Sequence, residues 1–155
     1  QGVKDGIITV IGSDLTPIKA ELKDVDMWSK GFVPMGLGPN HTMILPVLLS
    51  EGVNKRGLSL ERVVEVTSYN PARVFGLYPQ KGTISTGSDA DLVIVDLDKE
   101  VTWKQEMSPS NSDWSIYEGW HFKGWPTLTM VRGKVVMEDG RIVAEPGCGR
   151  YIHRK

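Results

Sequence analysis

The alternation of apolar and polar positions changes character three times along this chain. Residues 7–12 (Ile-Ile-Thr-Val-Ile-Gly) are an unbroken, mostly β-branched run closed by Gly12 and Ser13. This is the pattern of a strand covered on both faces, as in a parallel sheet. Residues 16–40 have no period: scattered charges and Trp28 lead into the Gly/Pro-rich Lys-Gly-Phe-Val-Pro-Met-Gly-Leu-Gly-Pro-Asn. That composition predicts a loop, and its length suits a working loop better than a connector. Residues 41–53 predict an apolar helix in which Pro46 demands a kink or a late start. Ser59 then offers an N-cap to a helix whose Leu60, Val63, Val64 and Thr67 recur at helical spacing. Asn70-Pro71 predicts a new cap and first turn, so that two short helices meet at an Asn-Pro corner and the second ends at Gly76.

From Lys81 the pattern turns to β. Residues 81–90 read as a turn-rich hairpin and 91–96 as a strong strand. Residues 99–126 are irregular and hold Trp103, Trp114, Tyr117, Trp120, Phe122 and Trp125, which predicts a covering segment that buries its rings over a core. Residues 127–144 alternate through two or three strands, with turns at Arg132-Gly133 and Asp139-Gly140. The order is one parallel-type strand, helices, then an all-β tail, without internal repeats.

Composition narrows the partners. The 155 residues carry 18 basic and 19 acidic side chains, a net charge of -1, which leaves no basic stripe for nucleic acid. The closing Tyr-Ile-His-Arg-Lys reads as a solvated tail. The single cysteine, Cys148, cannot form an internal disulfide and has no His or acid at a telling spacing, so it reads as inert. No apolar run approaches the ~18–20 residues of a membrane span, and the first residues lack the basic and apolar regions of a signal peptide. These features predict a soluble, cytoplasmic protein with no membrane partner. The missing initiator Met suggests an excised or processed segment.

The candidate chemistry centres on Asp14, delivered directly after the apolar run. By itself it reads either as a cap or turn residue or as a reactive carboxylate at a strand end. Asp89 and Asp91 follow a Gly-Ser turn and lead into a strand, which is turn chemistry rather than an acid/base dyad. Glu118 and Arg132 read as packing or interface residues. The three histidines, His41, His121 and His153, form no His-x-His or other metal-ligand spacing.

Several segments together resemble the C-terminal third of a cyclic amidohydrolase, in the branch of dihydropyrimidinases, hydantoinases and allantoinases. They are Gly-Ser-Asp (12–14) after an apolar run, the stretch from Asn70-Pro71-Ala72 through Lys81-Gly82 to Asp89-Ala90-Asp91-Leu92-Val93, residues 115–143, and the closing Gly-Arg-Tyr-Ile-His-Arg-Lys. The resemblance implies an α/β fold: the C-terminal portion of a TIM-type (β/α)8 barrel plus the C-terminal half of a small β-sandwich. Residues 1–81 would hold the last barrel strand, substrate loop and closing helices, residues 82–147 the sandwich portion, and residues 148–155 a tail.

The resemblance also implies that Asp14 binds one of two metal ions, usually zinc, which are bridged by a carbamylated Lys outside this chain. Asp14 would exchange a proton with the water between them. Barrel enzymes place such groups at the C-terminal ends of strands. Gly38 and Asn40 would offer loop groups to a small cyclic amide or imide. The remaining metal ligands of the family have no counterpart here, so the chain alone is expected to be inactive. Leu15 stands where many relatives carry His or Asn, and is expected to alter the pocket wall. A homotetramer through residues 114–125, or association with the rest of the barrel, would complete the assembly. The rival reading is a non-catalytic, amidohydrolase-like oligomeric scaffold or signalling protein.

Overall fold

The computed structural model of the chain describes residues 1–23 and 41–154. Its described elements are four helical segments, one of them a 3-10 turn at Gln105–Met107, and a four-stranded antiparallel meander in the order β1-β2-β3-β4. A single turn, α1, spans Ala20–Lys23. The second helical run, α2, opens as a 3-10 turn over His41–Met43, continues as α-helix over Ile44–Val47 and widens to π geometry over Leu48–Asn54. Its first described residue is His41, and it accommodates Pro46 by changing its hydrogen-bonding period on either side of the proline.

Ser59 caps the third run, α3, as its sequence predicts: its hydroxyl accepts the amide of Arg62 at 3.1 Å. The expected corner at Asn70-Pro71 is absent. The run passes without interruption from α-helix at Leu60–Val64 through a π segment at Glu65–Tyr69 to α-helix at Asn70–Val74. Asn70 has helical angles (φ -65°, ψ -45°) and caps nothing. The π segment absorbs the amide that Pro71 lacks, so the proline neither starts nor stops a helix.

Residues 81–90 form successive turns rather than a hairpin. Half-buried Lys81 ties them together, lying 2.9 Å from Asp89 and also paired with Asp91. Asp91 in turn accepts the amide of Arg132 at 2.7 Å, clamping this segment to the β2–β3 turn. Asp89 and Asp91 therefore work as structural turn residues.

Strand β1 (Leu92–Thr102) outruns the expected 91–96. A register shift between Asp96 and Glu100 lets it continue: the Asp96 carboxylate accepts the amides of Asp98 and Lys99 at 2.9 and 3.1 Å, so the polar stretch folds into a bulge. Strand β2 (His121–Val131) begins inside the aromatic stretch expected to be irregular. It is followed by β3 (Lys134–Glu138) and β4 (Arg141–Ile142). Both expected turns are present, each with two consecutive left-handed residues: Arg132 (φ 47°) and Gly133 (φ 78°), then Asp139 (φ 45°) and Gly140 (φ 79°).

The described core joins α2 to the sheet. Met43, Trp103 and Phe122 are fully buried, with Val47, Tyr117 and Trp125 packed around them. The expectation that residues 99–126 bury their rings holds for Trp103 and Phe122, whereas Trp120 remains exposed.

Candidate functional site

Asp14 ends an extended segment. Residues 8–19 carry no ladder, and Ile7 and Ile8 are exposed, so the expected strand over 7–12 pairs with no described strand. A β-branched run favours extended backbone, but a ladder also needs a neighbour, and here the neighbour is a helix. Helix α3 supplies several hydrogen bonds that hold the segment's first half. The amide of Ile11 donates to the carbonyl of Val66 at 3.1 Å. The Asn70 side chain donates to the carbonyl of Thr9 at 2.9 Å. The Arg62 guanidinium donates to the carbonyls of Val3 and Ile8 at 2.7 and 2.8 Å, and is itself held by Glu65 at 2.6 Å.

Asp14 adopts φ 48°, a left-handed conformation that Asp tolerates better than most residues. The Ser13 hydroxyl accepts the amide of Leu15 at 3.4 Å, which turns the chain at this point. The Asp14 residue is exposed, and its carboxylate makes no hydrogen bond or ion pair among the described residues. It is no helix cap. Leu15 is half-buried beside it.

Beyond Asp14 the chain is anchored again. Trp114 donates its indole N–H to the carbonyl of Ile18 at 3.0 Å, and Asp113 accepts the amide of Ala20 at 2.8 Å. The aromatic loop thus receives the segment that follows Asp14. An open groove of about 420 Å³, lined by Lys104, Glu106, Asp113, Trp114 and Glu118, sits at this junction rather than at Asp14. Its open, mixed-charge lining carries no constellation for catalysis.

Gly38 and Asn40, the expected substrate-loop residues, lie outside the described residues. Sequence reasoning also missed Arg62, Asn70, Asp113 and Trp114. Asn70 looked like a cap, and only the proline after it, which leaves a helix carbonyl without a donor, hinted at another task.

The carboxylate of Asp14 is the right kind of donor for a hard or borderline divalent metal, and neither oxygen is committed to a partner among the described residues. It fits one ligand of a metal centre and not a whole one. Among the described residues no three His, Cys, Asp or Glu side chains gather at any point. His121 instead pairs with Thr102 at 2.8 Å and Glu100 at 3.4 Å, and His153 packs edge-on against Tyr151.

An extended segment that ends in an exposed carboxylate is thus backed by a helix and followed by an antiparallel meander. The profile of the Amidohydrolase family matches residues 1–136, and the chain belongs to that family. The L-hydantoinase of Paenarthrobacter aurescens is 42% identical over 156 residues, which cover 99% of this chain and 33% of that protein. A D-phenylhydantoinase of Escherichia coli O1:K1 / APEC is 37% identical over 155 residues, with coverage of 99% and 33%. Among solved structures, the L-hydantoinase (dihydropyrimidinase) from Arthrobacter aurescens superposes with a TM-score of 0.86 at 41% identity, covering 99% of this chain and 34% of that one. A D-hydantoinase from Bacillus sp. AR9 gives 0.89 at 34% identity, covering 99% and 33%. The chain thus spans about a third of the length of these relatives. The resemblance read from its sequence is borne out.

Proposed function

We propose that the chain is the C-terminal part of a metal-dependent cyclic amidohydrolase that opens the ring C–N bond of a hydantoin, dihydropyrimidine or allantoin-like substrate. Its 42% identity to an L-hydantoinase over 99% of its length carries this reading. Within the complete enzyme, residues 1–81 would close a (β/α)8 barrel, residues 82–147 would belong to a small sandwich, and residues 148–155 would form a tail. Asp14 would be the one metal-site carboxylate this chain contributes, at the end of the last barrel strand. Two zinc-type ions, bridged by a carbamylated Lys outside the chain, would acidify a shared water and polarise the ring carbonyl. Gly38 and Asn40 would face the ring. The complete enzyme would be a cytoplasmic homotetramer.

A chimera tests this directly: residues 1–155 replace the corresponding third of the Paenarthrobacter aurescens L-hydantoinase. A folded chimera is expected to bind metal and open hydantoin or dihydrouracil. Asp14→Asn is expected to lower kcat/KM at least about 100-fold and to reduce bound metal, because an amide is a poor metal ligand and no base. The 155-residue chain alone is expected to open no ring. A folded chimera that binds no metal and turns over no ring would overturn the reading in favour of a non-catalytic scaffold.

A further inference from the structure

The carbonyl of Val66 is free for Ile11 because of how α3 is built. In an uninterrupted α-helix it would accept the amide of Asn70. Here that amide reaches back one residue further, to the carbonyl of Glu65. The next amide along, which a π turn would direct to Val66, is missing because residue 71 is proline. Val66 is left without a helical donor and accepts the Ile11 N–H at 3.1 Å instead. On the same side of the helix, Asn70 holds the Thr9 carbonyl and Arg62 holds those of Val3 and Ile8. Four backbone groups of the segment leading to Asp14 are therefore fixed by one helix, the last only three residues from the carboxylate.

We propose that Pro71 and the π segment of α3, together with Asn70 and Arg62, are positioning residues that set the place of Asp14 by holding residues 3–11. This rests on Asp14 being the metal-site carboxylate. The π segment breaks the α-helical period just before Pro71. Its effect is to turn one carbonyl outward towards the segment that ends in Asp14.

The decisive variant is Pro71→Ala in the chimera. Alanine is the better helix residue, so melting temperature should hold or rise, while the restored amide lets the helix return to α pairing and reclaim Val66. The expected result is about tenfold faster hydrogen exchange at Ile11 and about tenfold lower kcat, with KM little changed. Asn70→Leu, which removes the bond to Thr9 and leaves Pro71 in place, should lower kcat in the same direction. Unchanged Ile11 exchange in Pro71→Ala would sink the proposal, as would faster exchange with kcat intact. If Asp14→Asn keeps full activity, the reading of Asp14 fails, and Ile11 exchange alone then judges whether α3 fixes the segment.

Discussion

The buried hydroxyl of Ser50 accepts the backbone N–H of Lys123 at 3.2 Å, joining α2 to β2 across 73 positions of sequence. Asn54, one turn further along α2, donates to the carbonyl of the same Lys123 at 3.0 Å. One residue of the sheet is thus held at both its backbone donor and its backbone acceptor. Ser50→Ala would leave the Lys123 amide facing a methyl group in a closed seam. Loss of a buried hydrogen bond with one partner stranded costs about 1–3 kcal/mol. The urea midpoint should fall accordingly with an unchanged m-value, whereas a cost below a few tenths would show that the amide finds water.

Gly124, the next residue, has φ 93°, and a Cβ placed there would lie 3.0 Å from the Leu49 Cβ. Gly124→Ala is expected to destabilise by about 1–3 kcal/mol through backbone strain, with a further cost from the contact. Adding Leu49→Ala should relieve the contact and leave the backbone term. In denaturant titrations the double variant should therefore lose less than the two single losses combined.

The sequence was most readable where a single residue decides local geometry. Ser59 fixed a helix start, and Arg132-Gly133 and Asp139-Gly140 fixed two turns, because capping and left-handed turns depend on residues within four positions. It was least readable where tertiary partners decide. Asn70-Pro71 has the local chemistry of a helix start, yet the preceding turn widens to carry the helix through it, and Asn70 serves Thr9, 61 positions away. Strand β1 outran its apolar run because Asp96 folds the polar residues into a bulge. Residues 7–12 have the composition of a buried strand but pair with no described strand, since a ladder is a property of two segments. At the candidate site Asp14 stood out only through its neighbours in sequence. Of the residues that grip its segment, Asn70 lies in the Asn-Pro-Ala stretch that carries the family resemblance, but its task towards Thr9 is not legible there, and Arg62 carries no motif.

The Lys81 cluster predicts a pH dependence. Burial alone would lower the ammonium pKa, but hydrogen bonds to Asp91 and Asp89 outweigh it and raise the value above that of a free lysine. A raised folded pKa contributes stability that is complete below the unfolded value and is lost as pH rises through the folded one. Tyr117, whose pKa burial also raises, loses its contribution in the same alkaline range. Unfolding midpoints should therefore fall above about pH 10, and Lys81→Met should flatten part of that decline. On the acid side, Asp89 is held below its usual pKa by hydrogen bonds from Lys81 and Gln80, and Glu51 by Lys55 and Arg56. Depressed carboxylates stabilise above their unfolded pKa and lose that as pH falls through the folded value, so a second decline is expected below about pH 4. An acid limb unchanged by Glu51→Gln would remove Glu51 from this account.

Phe122 is the residue through which helix and sheet share one core. It is fully buried, its ring centre 6.2 Å from that of Trp125 and 6.1 Å from those of Tyr117 and Trp120, and it clusters with Met43 of α2 and Trp103. Phe122→Ala should cost about 3–5 kcal/mol, combining the lost transfer of the ring with a cavity between elements from both halves of the chain. Phe122→Leu keeps much of the volume and should cost far less. Stability alone would not show which contact matters, so near-ultraviolet circular dichroism supplies the second readout. Trp103 and Trp125 lie 6.1 Å apart at 38°, an arrangement held on one side by Phe122. The alanine variant should lose much of the tryptophan signal at temperatures where its far-ultraviolet spectrum is still native, as the rings gain freedom before the strands separate. If both signals disappear together in one transition, the aromatic cluster and the sheet are a single cooperative unit and Phe122 has no separate role in ordering the indoles.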